Sequence, residues 1–346
     1  MIHIEVNTEL MTPYQIGLER GKRIRELRPV IDRVLEELVP SQSESERKEA
    51  VQKALRLSSF TKQELPEMYA EIEGVVAGAE WNLEEYALYH NCLYLSKEEI
   101  QCCTNIFISE TRTEANEPIL AKNTDLRGVF EDCQEITSVY SQKGLSFVCL
   151  RNAGWLGCGQ GINEAGFGFA LSSAHTGKYS PGIQSYVVGT YILANARNVS
   201  EALEMLISIS GVGEICYLMS DSEGDAAAFE SGYGNRYDIR KPEDGILIST
   251  NHYQSNSMKE LTKHLASSRT RWERMNELFS RKGKFGISYI TDSMMDHSHP
   301  EDFHCICRHE GRMKTIASSL ILPRKKIIHV QEGNPCERRG FHSYGF

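Results

Sequence analysis

Residues 101–109 read QCCTNIFIS, a cysteine pair at the head of a short apolar strand. A polar turn at residues 111–118 leads into a second strand that ends beside Asp125. Antiparallel strands joined by a turn bring their paired ends together, so we expect the Cys103 thiol and the Asp125 carboxylate near the same end of a hairpin. A cysteine placed there can cut its own chain and then use the freed amine as its base.

The composition is ordinary for a globular chain and argues against one class of partner. Of the 346 residues, 40% are hydrophobic and 25% are charged, and the formal net charge is −9. Sequence-independent nucleic-acid binding needs a clustered positive surface. The nearest basic run, at residues 324–326, only flanks an apolar strand. We therefore expect no nucleic-acid partner. The chain is long enough to bury a large core, as one large domain or as a domain with an appendage.

The sequence carries no recognisable targeting or membrane signal. Its first residues, MIHIEV, lack the basic start, apolar stretch and cleavage site of a signal peptide. No window is apolar for long enough to cross a bilayer. We therefore expect a cytoplasmic location and no membrane partner.

The cysteines and glycines predict neither a metal nor a cofactor. Ten cysteines are expected to be reduced in the cytoplasm, and they form no paired CxxC motif, which argues against a structural zinc site. Cys305 and Cys307 lie two residues apart, and we interpret them as buried strand or turn residues, with a metal role as the minor alternative. The glycine-rich stretch 154–168 lacks the GxxxxGK[ST] motif of a nucleotide-binding loop.

The chain changes character near Cys103, from a helical pattern to groups of strands. Between residues 14 and 96, apolar residues recur at helical spacing, as at Ile31, Leu35 and Leu38. Strands are predicted near residues 104–109, 119–123, 136–140, 147–150, 167–172, 216–220, 226–230, 237–240, 246–249, 315–322 and 327–331. Helices are predicted near 184–196, 200–208 and 267–282. Strands and helices in groups indicate an α+β layered fold.

Cys103 is the candidate nucleophile. A lone thiol is most often a buried structural residue, and a catalytic one needs a base or a lowered pKa. A free α-amine has an ordinary pKa of about 7.7–8.0, close to the value of about 8.5 for a simple thiol. Cleavage before Cys103 would give one residue both nucleophile and base. Asp125 would then hold that amine or orient a partner, unless it is only a turn residue.

Further candidates follow later in the chain. Asn251 comes after an apolar strand, where its amide can donate to a developing oxyanion, worth about 2.7–4 kcal/mol of barrier in other enzymes. The alternative role is a cap or turn. His252 is a candidate base only if the cysteine does not supply its own. Arg271, Arg308 and Arg312 are candidates for binding a substrate carboxylate, or else belong to solvated surfaces.

An ordered set of motifs from about residue 100 to the end carries a family resemblance. The motifs are CT at 103–104, NTD at 123–125, GINEAG at 161–166, STNH at 249–252, a helix start at 268–271, ICRH at 306–309, TIAS at 315–318 and GNPC at 333–336. Together they resemble the acyl-coenzyme A:6-aminopenicillanic acid acyltransferase family, peptidase family C45, within the N-terminal-nucleophile (Ntn) hydrolases. Each motif alone is weak, whereas their ordered co-occurrence is specific.

The resemblance implies a fold and a division of the chain. The fold would be the Ntn-hydrolase αββα sandwich with an N-terminal helical segment. Self-cleavage between Cys102 and Cys103 would yield residues 1–102 and residues 103–346, which remain one globular unit.

The resemblance also implies roles for site residues. Cys103 matches the nucleophile, Asp125 the family carboxylate and Asn251 the asparagine on the oxyanion side. Arg271 and Arg312 match family arginines that we assign to substrate binding. No metal and no organic cofactor is implied.

One departure from the family pattern leaves alternatives open. Cys102 stands where glycine is usual, and glycine eases the strained backbone that helps an N-to-S acyl shift. Cys102 could itself be the nucleophile, or the chain could be an unprocessed, non-catalytic member that binds a small molecule or peptide. A third alternative is a conventional Cys–His hydrolase that uses His175 or His252.

The sequence thus predicts an autoprocessed cysteine amidohydrolase or N-acyltransferase. Its partner would be a small-molecule linear amide or acyl thioester, attacked by Cys103. Hydrolysis and acyl transfer both stay open at this point, as do the substrate's identity and the oligomeric state.

Overall fold

The structure is a computed structural model that describes residues 1–7, 11–39, 43–96, 102–174, 181–209, 213–262 and 265–346. Its strands are β1 Ile2–Asn7, β2 Thr104–Ile108, β3 Ile119–Arg127, β4 Gln134–Tyr140, β5 Phe147–Asn152, β6 Gln160–Asn163, β7 Gly168–Ser173, β8 Ile215–Ser220, β9 Ala226–Gly232, β10 Arg236–Arg240, β11 Ile246–Ser249, β12 Met313–Leu322, β13 Ile327–Glu332 and β14 His342–Gly345. Its α-helices are α1 Pro13–Ile24, α2 Arg28–Leu38, α3 Glu44–Glu64, α4 Pro66–Ala79, α5 Leu83–His90, α6 Cys92–Leu95, α7 Ser185–Asn195, α8 Val199–Ser208, α9 Ala266–Phe279 and α10 Ile287–Met294.

Two sheets pack face to face between two layers of helices. One sheet has the strand order β1-β4-β5-β6-β7-β8-β9-β10, and the other has the order β11-β2-β3-β12-β13-β14. Phe107 and Leu120 of the second sheet meet Val148 and Leu218 of the first in a buried core between them. The outer face of the second sheet packs on α9 and α10. This architecture confirms the predicted α+β class and αββα layering.

The N-terminal helices are fixed to the first sheet by a very close helix pair and a buried ion pair. In the α1–α4 pair, a Cβ added at Gly17 would lie 2.0 Å from the backbone oxygen of Glu71, so only glycine permits this approach. Arg20 of α1 is fully buried and lies 2.8 Å from a carboxylate oxygen of Glu135 on β4. It also donates to the carbonyl oxygen of Trp155 at 2.8 Å.

The sequence interpretation missed three strands and one helix that the described residues form. The segment 1–102 is not purely helical, because β1 pairs in parallel with β4 and extends the first sheet at its edge. The others are β6 within the glycine-rich stretch, α10, and the edge strand β14. Since β1 belongs to the same sheet as β4, residues before and after Cys103 share one sheet. None of the helices in the described ranges has the length and apolarity needed to cross a membrane.

Candidate active site

The hairpin of β2 and β3 places Cys103 beside Asp125 in the backbone. Thr104 pairs with Asn123, and one step further the N–H of Cys102 donates to the carbonyl oxygen of Asp125 at 3.0 Å. Side chains alternate along a strand, so Cys103 shares the face of Phe107, which packs in the core between the sheets. The predicted hairpin is confirmed. The cysteine lies just before β2, at the end of the sandwich.

Arg271 on α9 joins the candidate nucleophile to Asn251. Its Nη1 donates to the carbonyl oxygen of Cys103 at 2.8 Å and to Oγ1 of Thr104 at 2.7 Å. Its Nη2 donates to Oδ1 of Asn251 at 2.9 Å. The side chain is fully buried. Burial, together with repulsion from the nearby Arg308 guanidinium, lowers the pKa of Arg271 to about 10, which leaves it charged at neutral pH.

Asn251 is anchored between the two sheets and helix α9. Its Nδ2 donates to the carbonyl oxygen of Ser173, at the end of β7, at 2.9 Å. Its backbone N–H donates to Oγ of Ser268 at 2.7 Å. Because β11 ends at Ser249, the residue leaves the sheet just where it reaches Arg271. The asparagine amide is therefore held at a fixed orientation within the buried cluster.

Asp125 is a buried carboxylate with a polar shell on the helix side of the second sheet. Thr315 donates to its Oδ1 at 2.8 Å, and Nε of Arg308 lies 3.7 Å from its Oδ2. Burial raises the pKa of Asp125, and the charges of Arg308 and Arg271 oppose that shift. Among the described residues, Oδ2 of Asp125 accepts no hydrogen bond. It is thus available to a new donor.

Lys122 is a site residue that the sequence reasoning missed. Its Nζ donates to the carbonyl oxygens of Leu171 at 2.6 Å and Gly159 at 3.1 Å. Burial lowers the pKa of Lys122, and the neighbouring groups Cys103 and Asp125 oppose that shift, the first through a direct hydrogen bond. The signal was present in the sequence, because a lysine interrupts the otherwise apolar start of β3, ILAKN.

The arginine candidates separate clearly in the structure. Arg308 is fully buried beside Asp125 and donates to Oγ of Ser267. Arg312 lies on an exposed turn, where its carbonyl oxygen accepts from the N–H of Gly128 at 3.2 Å. Residue chemistry alone ranked the two equally, and the family resemblance assigned only Arg312 to substrate binding. The geometry of one loop decides which of them is buried.

The histidines of the Cys–His alternative give it little support. The ring Nδ1 of His252 lies 2.8 Å from Oγ of Ser268 and 3.2 Å from Oγ1 of Thr250. Burial, with the charges of nearby arginines, lowers the pKa of His252 to about 4. A base of that strength is poorly matched to a thiol. His175 lies outside the described residues.

Comparisons with known proteins agree with this architecture. Residues 111–337 match the profile of the family described as acyl-coenzyme A:6-aminopenicillanic acid acyl-transferase. That range contains Asp125, Asn251, Arg271 and Arg312, and Cys103 lies shortly before it. No curated protein matches the sequence.

Solved structures align with this chain at low sequence identity. A variant of conjugated bile acid hydrolase from Clostridium perfringens aligns with a TM-score of 0.51 and 14% identity, covering 70% of this chain and 92% of that one. An N-acylethanolamine-hydrolyzing acid amidase ortholog from Caenorhabditis elegans aligns with a TM-score of 0.48 and 13% identity, covering 64% and 93%. The first likeness shows that the chain has the Ntn-hydrolase fold.

Proposed function

Because the chain belongs to the acyl-coenzyme A:6-aminopenicillanic acid acyl-transferase family, we propose that it is a self-processing cysteine amidohydrolase or acyltransferase with Cys103 as its nucleophile. One observation carries the proposal. The buried guanidinium of Arg271 holds the backbone of Cys103 and the amide of Asn251 in one cluster. A structural cysteine has no need of such a fixed polar neighbourhood.

The first step is cleavage of the bond between Cys102 and Cys103. The Cys103 thiolate attacks the carbonyl carbon of Cys102, and the C–N bond breaks as the acyl group moves to sulfur. Water then hydrolyses the thioester, leaving a carboxylate on Cys102 and a free amine on Cys103. Both residues are only 1% exposed, so an external protease has no access to this bond in the folded chain. This burial favours an intramolecular reaction.

The second stage is turnover at the new N-terminus. The Cys103 amine accepts the thiol proton, and the thiolate attacks the carbonyl carbon of a linear amide or an acyl thioester. Collapse of the tetrahedral intermediate expels the amine or thiol, which takes up the proton. Water or an acceptor amine then removes the acyl group from sulfur. Water as acceptor gives hydrolysis, and an amine gives acyl transfer.

Each neighbouring side chain has a role in this scheme. Asp125 has a carboxylate oxygen, Oδ2, that accepts no hydrogen bond within the described part of the chain, and this oxygen would accept from the new ammonium group. Asn251 stabilises the oxyanion, and Arg271 positions both Asn251 and Cys103. Lys122 stabilises the thiolate from the inner face of the hairpin. Arg312, on its exposed turn, is the residue that would meet a substrate carboxylate arriving from solvent.

Intact mass and N-terminal sequencing test the processing step. We expect two polypeptides whose masses sum to 39.1 kDa plus one water, the second beginning Cys-Thr-Asn-Ile-Phe. Cys103→Ala should remain one chain, whereas Cys102→Ala should still be cut at the same bond. A single 39.1 kDa mass for the wild type, with Cys103 unreactive toward iodoacetamide, would instead support the non-catalytic binding role.

A substrate screen tests the reaction class. The cut protein is incubated with N-acyl amino acids and with acyl thioesters, with and without an added amine, and Cys103 is examined by peptide mass spectrometry for a trapped acyl group. An acylated Cys103 supports the mechanism. Turnover that persists in the Cys103→Ala variant contradicts it.

A further inference from the structure

A second cluster of reactive side chains lies outside the proposed active site. The ligand atoms of His297, Cys307, His309 and Cys336 all lie within 4.8 Å of one another. We propose that these four side chains bind one Zn²⁺ ion as a structural site. The site would join three segments: the chain after α10, the loop before β12, and the short helical turn Pro335–Glu337 after β13.

Two of the three distances among the sulfurs and Nε2 of His309 match those of a tetrahedral zinc site. The sulfurs of Cys307 and Cys336 are 3.8 Å apart. Nε2 of His309 lies 3.2 Å from the Cys336 sulfur and 3.6 Å from the Cys307 sulfur. With Zn–S near 2.3 Å and Zn–N near 2.0–2.1 Å, tetrahedral angles require about 3.8 Å between two sulfurs and about 3.5–3.6 Å between sulfur and nitrogen. Both distances from the Cys307 sulfur therefore have ligand spacing, and the 3.2 Å between Nε2 of His309 and the Cys336 sulfur is shorter than that spacing.

The surrounding hydrogen bonds direct the ligand atoms toward a common centre. Nδ1 of His297 lies 2.8 Å from the carbonyl oxygen of Met295, so a proton on Nδ1 leaves Nε2 as the free lone pair. Histidine ligands are usually held in this way, with the second ring nitrogen donating to a carbonyl or carboxylate. Asn334 places its Nδ2 3.5 Å from the Cys307 sulfur, as a donor to a thiolate. The backbone N–H of His309 is held by the carboxylate of Asp302.

The total charge of the four ligands and the softness of the two thiolate sulfurs both favour zinc. Two thiolates and two neutral imidazoles balance the charge of Zn²⁺, so the loaded site is neutral and can be partly buried without a net charge. The two thiol protons are released to solvent on binding. A tetrahedral S₂N₂ set of four protein ligands is typical of structural zinc and leaves no open position for catalysis.

The sequence argued against such a site because no CxxC pair was present. The ligands are brought together by the fold instead. Cys336 lies 29 residues after Cys307, and the two are joined through the β12–β13 hairpin. His297 follows a helix that the sequence did not reveal. Spacing rules for zinc motifs apply to ligands on a local loop, whereas strands β12 and β13 separate Cys336 from the other three ligands.

The location suggests what the ion would stabilise. Arg308 stands between Cys307 and His309, and it extends toward Asp125 while its two neighbours face the cluster. Asn334 also donates to the carbonyl oxygen of Arg308. A metal bound by the flanking residues would fix the backbone that carries this buried arginine. The ion would stabilise the fold whether or not Cys103 is catalytic.

Metal analysis of the untagged protein, purified without chelators, tests the proposal. Inductively coupled plasma mass spectrometry should find about one zinc per chain, as expected for a single four-ligand site. Cys336→Ser and His309→Ala should lose the zinc. Cys305→Ser is the matched control, because its thiol lies 3.4 Å from the carbonyl oxygen of His299 and is not part of the cluster. This variant should keep the full zinc content.

A second measurement avoids dependence on variants that fail to fold. Wild-type protein stripped of metal and titrated with Co²⁺ should show the visible ligand-field bands of a tetrahedral site together with thiolate-to-cobalt charge transfer. Three results would each overturn the proposal: wild-type protein that neither contains zinc nor binds Co²⁺ stoichiometrically, a Cys307–Cys336 disulfide in freshly purified protein, or unchanged zinc in folded Cys336→Ser.

Discussion

Arg271 donates a hydrogen bond of 2.8 Å to the carbonyl oxygen of Cys103, a residue 168 positions earlier in the chain. The same planar guanidinium reaches Thr104 and Asn251. A guanidinium presents several donors in a fixed fork, so it can set the relative positions of three acceptors at once. Helix α9 thereby fixes the orientation of the backbone that carries the proposed nucleophile.

Replacing Arg271 with lysine should impair both self-cleavage and turnover. Lysine keeps the positive charge but places it at one point, so it cannot satisfy the three acceptors together. A displacement of the nucleophile by about 1 Å is enough to slow the reaction about 100-fold. Lost buried hydrogen bonds should also reduce the free energy of unfolding by about 1–3 kcal/mol. The fraction of cut chain against time, from intact mass, measures the first effect.

Arg269→Lys is the matched control for this prediction. Arg269 lies on the same helix and is exposed. Its replacement should leave the cleavage rate and the unfolding free energy close to those of the wild type. An Arg271→Lys variant that is cut as fast as the wild type would show that the guanidinium is dispensable.

Much of the fold could be predicted from the sequence, because turn residues and the alternation of apolar and polar residues in strands are local signals. The hairpin of β2 and β3 was predicted from one apolar strand, one polar turn and a second strand, and the structure extends only its far end, to Arg127. Strand β6 was missed because it has four residues, one of them glycine, inside a glycine-rich stretch. Strand β1 was missed because it joins the sheet through a partner more than a hundred residues away.

The site residues also separate into those that local sequence predicts and those that it does not. Cys103, Asp125 and Asn251 could be proposed from residue chemistry at strand ends. Sequence could not show that Arg308 is buried beside Asp125 while Arg312 is exposed, because both residues lie in the same loop before β12. The contacts of these arginines depend on the way that loop packs against β3 and α9, and no local pattern encodes it.

Replacing Lys122 with methionine should lower the reactivity of the Cys103 thiol. The Nζ of Lys122 contacts Cys103 on the inner face of the hairpin, so methionine removes a positive group beside the attacking sulfur. Cys103 alkylation measured by peptide mass spectrometry, and kcat/KM, should both be slower than in the wild type. Two buried carbonyl oxygens would also lose their donor, at a cost of about 1–3 kcal/mol each.

Lys314→Met serves as the comparison for Lys122→Met. Lys314 is partly exposed and pairs with Glu131 at 3.3 Å on the surface. Its replacement should leave the rate of Cys103 alkylation and kcat/KM unchanged. If both variants react as the wild type does, the contact between Lys122 and Cys103 has no effect on the thiol.

Replacing His252 with glutamine should preserve processing and turnover while making the fold less sensitive to acid. The folded-state pKa of about 4 lies below the ordinary value of about 6.5. Between these two pH values the unfolded chain binds a proton that the folded chain does not, so wild-type stability falls as the pH drops through this window. Glutamine does not titrate, and the variant should lose less stability there.

Urea unfolding at neutral pH and inside that window measures the difference between wild type and His252→Gln. The slope of the unfolding free energy against pH should differ between the two proteins only in the window between the folded-state pKa of about 4 and the ordinary value of about 6.5. Loss of turnover in a folded His252→Gln chain that remains uncut would favour the Cys–His mechanism over the amine mechanism.

Replacing Gly17 with alanine should destabilise the protein although alanine is the better helix former. The gain in helix propensity is about 1 kcal/mol. The new Cβ would lie 2.0 Å from the backbone oxygen of Glu71 and 2.8 Å from the backbone nitrogen of Val75, so α1 and α4 must move apart. Overpacking costs typically about 1–3 kcal/mol and exceeds the propensity gain when the obstacle is backbone.

Gly128 offers the matched control, because the nearest atom to a Cβ added there is the side-chain Cδ of Lys314, at 3.5 Å. Denaturant midpoints should therefore fall for Gly17→Ala and stay close to wild type for Gly128→Ala, and equal midpoints for the two variants would mean that the helix pair tolerates a wider spacing.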